Sequence, residues 1–137
     1  MFHRMRERAS SKKAVHRLCL TIALLVALGI LLRWIYFLPD KRHVIGIYTK
    51  LEDVQRSGDF VLGYELMSSS YRKTHTTEEF KQELPTMFYG ILGSPNINWS
   101  RTEAILAPGM WAGGPKIRFS KIEGKWFCDG IIDWYYD

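Results

Sequence analysis

The stretch LCLTIALLVALGILLRWIYFL, residues 18–38, divides this chain into parts that meet different solvents. From Leu18 to Leu32 it carries no charge, and Cys19 and Thr21 are its mildly polar members. After Arg33 the apolar character resumes through Trp34, Ile35, Tyr36, Phe37 and Leu38. As a helix rising ~1.5 Å per residue it would reach roughly 31 Å, the thickness of a bilayer's hydrocarbon core. A buried helix of a soluble protein seldom needs 15 uninterrupted apolar residues. The stretch predicts a transmembrane anchor.

Its flanks set the expected orientation. Before it lie Arg4, Arg6, Arg8, Lys12, Lys13 and Arg17 against one acid, Glu7; just beyond it stand Lys41 and Arg42 beside Asp40. Basic residues near membrane spans stay on the cytoplasmic side, so the N-terminus is expected there and the remainder outside. The predicted organisation is a basic cytoplasmic tail (1–17), a transmembrane anchor (18–38) and an exported domain (39–137). In a bacterium that domain would be periplasmic or extracellular. Trp34 and Tyr36 suit the interface, and Arg33 can snorkel from the last turn. A cleaved signal peptide would need small residues after its apolar core, where Arg33-Trp34-Ile35-Tyr36-Phe37 are bulky. Cys19 precedes that core and does not sit where a lipoprotein cysteine would.

Charge reads differently once the chain is divided. The net charge is +5, but from Pro39 onward twelve Lys and Arg face thirteen Asp and Glu. The basicity belongs to the tail, where membrane topology and anionic headgroups account for it, at ~1 kcal/mol per basic residue near the surface. The expected partner of the tail and anchor is the lipid bilayer, and no basic patch remains for nucleic acid. The exported part holds one cysteine, Cys128, and so has no internal disulfide. Lying two residues from Trp126 along a strand, Cys128 is expected to be a buried thiol.

Within the domain, helical patterning precedes strand patterning. Val44, Ile47, Tyr48, Leu51 and Val54 recur at spacings of three and four, one face of an amphipathic helix. Gly58 is placed to end it and Asp59 to cap a short helix running up to Ser68-Ser69-Ser70. A further helix is expected near Thr76, where Thr76 and Glu79 have capping-box spacing, with Pro85 marking its end or a kink. Beyond Gly90 the period becomes two: Ile97 and Trp99, the short run Ala104 to Ala107, then Ile117 and Phe119. Glu123-Gly124 turns the chain into Trp126 and Cys128, an antiparallel hairpin. These patterns predict an α+β fold: a transmembrane helix, then about three helices packed on a curved antiparallel sheet of about four strands.

Gly58-Asp59-Phe60, Tyr64-Glu65-Leu66-Met67-Ser68 and Glu78-Glu79-Phe80 resemble the opening of small nuclear transport factor 2-like domains. Ile117-Arg118-Phe119 with Glu123-Gly124-Lys125-Trp126 and Gly130-Ile131 is similar to that superfamily's closing hairpin. The likeness covers most of residues 43–132. It implies a cone of helices inside a curved sheet, often dimeric, and some members carry a pocket. Its enzymes use a buried Asp, His or Tyr to shuttle protons, while other members only bind.

Chemistry-bearing residues are sparse. His43 and His75 read as surface groups, and Asp129, beside Gly130 at a strand end, is expected to be solvated. No catalytic residue is assigned, since no sequence pairing has the form of an acid–base dyad. One cysteine and two scattered histidines in the exported domain give no metal spacing, and Gly109, Gly113 and Gly114 lack the lysine of a phosphate loop. No cofactor is expected. Asn98-Trp99-Ser100 fits a glycosylation acceptor in a secretory compartment.

Large rings are the remaining signal. Trp99 and Trp126, in alternating strands, are expected in the core. Trp111, in a glycine-rich loop, and Trp134, Tyr135 and Tyr136, at the chain end, have less to pack against. They are the candidate binding residues, because aromatic side chains are enriched at interface centres. The expectation is a protein-interaction or assembly module whose partner is another membrane protein or a second copy. The alternatives are a small-molecule binding domain with an apolar cone pocket and an isomerase- or dehydratase-type enzyme.

Overall fold

The apolar face of Val44, Ile47, Tyr48, Leu51 and Val54 belongs, in the computed structural model, to a helix far longer than the amphipathic segment. Helix α1 runs from Phe2 to Ser57 and contains Pro39. Proline lacks the N–H that would bond one turn back, so α1 passes Pro39 with one ladder bond fewer. The structure describes the backbone of residues 2–90, 92–109 and 113–135, and the side chains of 15–90, 92–109 and 113–134. The chain forms two compact units, Met1–Tyr36 and Phe37–Asp137. In the first, α1 is apolar and long enough to cross a bilayer, and its most apolar window is wholly exposed.

In the second unit, Gly58 ends α1, its N–H donating to the Val54 carbonyl at 2.8 Å. The carboxylate of Asp59 then accepts from Leu62 N–H at 3.3 Å and caps α2, Phe60–Glu65. Where the serine run was expected to end a helix, it starts one. Ser68 Oγ accepts from Tyr71 N–H at 3.1 Å and caps α3, Ser69–Thr74. The Thr76–Glu79 capping box opens α4, Thr77–Glu83, and Pro85 falls in the first turn of a 3-10 helix, Leu84–Phe88.

Four antiparallel strands follow in sequential order: β1 (Asn96–Ile97), β2 (Glu103–Leu106), β3 (Gly114–Ile122) and β4 (Lys125–Tyr135). The β3–β4 hairpin turns at Glu123-Gly124, with Ile122 opposite Lys125. Its register shifts twice, between Lys116 and Ile117 and between Arg118 and Phe119. The outer side of β4 is tied down where Ser68 N–H donates to Cys128 O at 2.7 Å and Cys128 N–H to Leu66 O at 3.0 Å. Ala104, Leu106, Ile117 and Phe119 of the sheet share one core with Leu51, Phe80, Leu84 and Met87. The fold is α+β with an N-terminal apolar helix, as the patterning predicts.

Trp126 and Cys128 are buried together, and burial pushes the Cys128 thiol up to about 12. Trp99 departs from expectation: β1 stops at Ile97, and the ring is 70 % exposed, edge-on to Phe37 at 5.7 Å between centroids. Phe37 itself lies in the core, so the folded unit takes up the end of the apolar stretch.

One carboxylate lies inside. Asp40, 1 % exposed, accepts from the Arg101 guanidinium, from Lys121 Nζ at 2.9 Å and from the Trp126 indole N–H at 2.9 Å. Burial alone would raise its pKa, but the hydrogen bonds from Arg101, Lys121 and Trp126 together outweigh it and hold the carboxyl at about 2. The ion pair pins α1 to the turn before β2 and to the hairpin.

Candidate functional site

Three surface features carry side chains with binding or chemical potential. The first is the aromatic end of the sheet. Gly90 and Gly114 both have positive φ, +91° and +153°. A Cβ on Gly90 would stand 2.5 Å from Gly113 O, and one on Gly114 would stand 2.7 Å from Tyr89 O. Only glycines allow these backbones so close. The approach sets Tyr89, 67 % exposed, beside half-buried Trp134, with ring centroids 6.3 Å apart. Trp134 stands opposite Pro115 in the hairpin, and its backbone N–H donates to Asp133 Oδ1 at 2.9 Å. Of the sequence-predicted site residues, Trp111 and Tyr136 lie outside the described residues. Tyr135 ends β4, and its side chain lies outside them too. Tyr89, not anticipated from the sequence, joins Trp134.

The second feature is a cleft of about 200 Å³ between α3 and β4, which brings together His75 and Asp129. Both correct their sequence reading. Asp129 lies mid-strand at a register shift, its side chain 9 % exposed and 3.4 Å from Arg118 Nε. His75 is half-buried, stacked on Tyr71 at 4.1 Å with ring planes 4° apart, and its Nδ1 is 2.9 Å from Thr74 Oγ1. The Tyr71 hydroxyl donates to Glu83 Oε2, and Glu83 Oε1 accepts from Ile131 N–H at 3.1 Å. Burial, then the Glu83 carboxylate, drives the Tyr71 pKa far upward, so this phenol stays a donor. Glu83 was missed because its partners lie 12 and 48 residues away. Among the described residues, no hydrogen bond joins His75 to Asp129. The imidazole, phenol and carboxylates each contact another group, which makes the cleft wall a polar seam.

The third feature is an open groove of about 420 Å³ between α1 and the β3–β4 turn. Arg42, His43 and Lys50 from α1 and Lys125 from β4 stand around it, over a floor that includes Ile47 and Trp126. Among the described residues no cluster of three or more His, Cys, Asp or Glu is placed to hold a metal ion. Comparison with protein-family models, curated proteins and solved structures finds no match.

Proposed function

We propose that this chain is a single-pass membrane protein with a cytoplasmic N-terminus, whose domain from Phe37 onward lies outside the cytoplasm and binds another protein. The exposed apolar helix and the six basic residues before it support the anchor and its orientation. With Phe37 in the domain core, the segment left for the bilayer is Leu18–Tyr36, 19 residues or roughly 28 Å. The helix-first order and the long closing hairpin support the nuclear transport factor 2-like assignment as part of the same proposal.

The observation that carries the binding reading is the Tyr89–Trp134 pair. Tyr89 offers two-thirds of its surface to solvent, beside a tryptophan and next in sequence to Gly90, which meets the backbone of Gly113. Trp and Tyr side chains are enriched among the anchors of an interface. Tyr89→Ala with Trp111→Ala should weaken partner binding roughly thirtyfold, the equivalent of ~2 kcal/mol. Melting of the full chain in detergent should stay nearly unchanged. A photo-cross-linker at position 89 in intact membranes tests this, and sizing distinguishes a second copy from another protein. Loss of melting temperature in place of cross-linking would make the rings structural.

The cleft holding both His75 and Asp129 favours a second reading, proton-transfer chemistry of the isomerase or dehydratase type. Replacing His75 by Ala and Asp129 by Asn separates the two. Abolished cellular function in a chain that still folds would favour chemistry; retained function would favour binding.

A further inference from the structure

The groove between α1 and the β3–β4 turn has a composition the aromatic end does not explain. Arg42, His43, Lys50 and Lys125 surround it, no carboxylate lines it, and none of the four has an ion-pair partner among the described residues. Such a rim attracts an anion. The floor is different: Ile47, Leu66, Trp126 and Phe127 give it an apolar surface that a free phosphate would not use.

Gly46 adds an independent observation. A glycine inside a helix sacrifices stability relative to alanine. Close packing would justify it, yet a Cβ built on Gly46 meets nothing within 4 Å. The missing side chain leaves open space on the groove wall, bounded by the cationic rim. We infer that this groove binds the headgroup of an anionic phospholipid, its phosphate on Arg42, Lys50 and Lys125 and its glycerol portion over Gly46 and the apolar floor.

The choice of a lipid over a soluble acidic peptide rests on the anchor reading. Arg42 follows Tyr36 by six residues, and six residues span at most roughly 21 Å. Whatever the chain's path, the first residue of the groove is tethered within that distance of the bilayer segment. There phospholipid headgroups, with their phosphates, are concentrated at the membrane surface.

The test is thermal unfolding of the purified full chain in an uncharged detergent. The added ligands are dihexanoyl phosphatidylglycerol, dihexanoyl phosphatidylcholine, glycerol 1-phosphate or an alternating Glu-Leu peptide. Binding to the folded state raises the unfolding temperature with ligand concentration. Phosphatidylglycerol should do so saturably and phosphatidylcholine should not. Gly46→Leu, whose side chain enters open space, and the pair Lys50→Gln with Lys125→Gln should each weaken the response at least tenfold. Melting without lipid should be unchanged. Should Gly46→Leu fail to fold, the lysine pair carries the comparison alone. Equal responses to the two lipids, or undiminished binding by the lysine pair, would overturn the inference. An equal response to glycerol 1-phosphate would reduce the site to a free-anion site, and tighter binding of the peptide would make it a peptide groove. Alkaline carbonate extraction of membranes tests the anchor separately: a released chain would sink that reading and the tether argument, while the headgroup preference in detergent stays measurable.

Discussion

Asp40 links three distant parts of the folded unit through one side chain, with partners 61, 81 and 86 residues away. Removing the carboxylate strands Arg101, Lys121 and the Trp126 indole, so Asp40→Ala should cost about 3–5 kcal/mol, a large part of a small domain's stability. The pH dependence has a definite sign. The folded carboxyl titrates at about 2, below its ordinary 3.8. The unfolded chain therefore binds the proton more readily, and the stabilisation is present above pH ~4 and lost as pH falls towards ~2. At about 1.4 kcal/mol per pH unit it amounts to about 2 kcal/mol. Acid titration of chemical unfolding in detergent should show this drop in the native chain and not in Asp40→Ala. None of this was legible in the sequence, where Asp40 is an acid beside Lys41 and Arg42. Its meaning depends on residues that only the fold brings near. Trp126 was legible as core because strand alternation is local, whereas Trp99 misled because β1 stops two residues before it.

At the scale of elements, what could be read ahead was what is written within a few residues. The Thr76–Glu79 capping box, Gly58 as a stop and the Glu123-Gly124 turn each act over a handful of positions, and each stands where its spacing put it. Helix α3 is the counterexample. At six residues, with Tyr71 its one buried side chain, it is too short to show a period, and its three serines read as a break. The signal was Ser68, an N-cap residue before a tyrosine whose N–H it accepts. Ser68 is also buried, so the loss of its hydroxyl leaves that N–H without water to replace it. Ser68→Ala should destabilise the domain by about 1–2 kcal/mol, and Ser68→Asp, which restores the cap acceptor, should recover part of it. Thermal unfolding of both variants checks this, and no loss in Ser68→Ala would mean α3 is held by Tyr71 and Glu83 alone. The same helix carries the Tyr71–His75 stack, so the half of the cleft that sequence reasoning placed on the surface owes its position to this cap. The aromatic end was legible in part: Trp134 was expected to seek a contact, but Tyr89 joins it through a glycine approach 24 residues along the chain, Gly90 against Gly114.

For the whole molecule, the side of the membrane on which the domain lies decides which partners and which lipids it meets. The apolar helix satisfies the length and composition for crossing, and a signal sequence would satisfy them as well. Two measurements separate these. The mature chain, sequenced from purified membranes, should retain residues 1–38, whereas a start near residue 35 would identify a cleaved signal. Fusions after Asp137 should be active with a reporter that works outside the cytoplasm and silent with one that requires the cytoplasm. Because orientation is argued from six basic residues against two, it has a built-in control. Replacing Arg4, Arg6, Arg8, Lys12, Lys13 and Arg17 by Gln leaves Lys41 and Arg42 as the flanking excess, and a substantial fraction of the chains should then invert. Native chains with an active cytoplasmic reporter would put the domain on the inner side. The domain's partners would then be cytoplasmic, and the lipids available to it those of the inner leaflet.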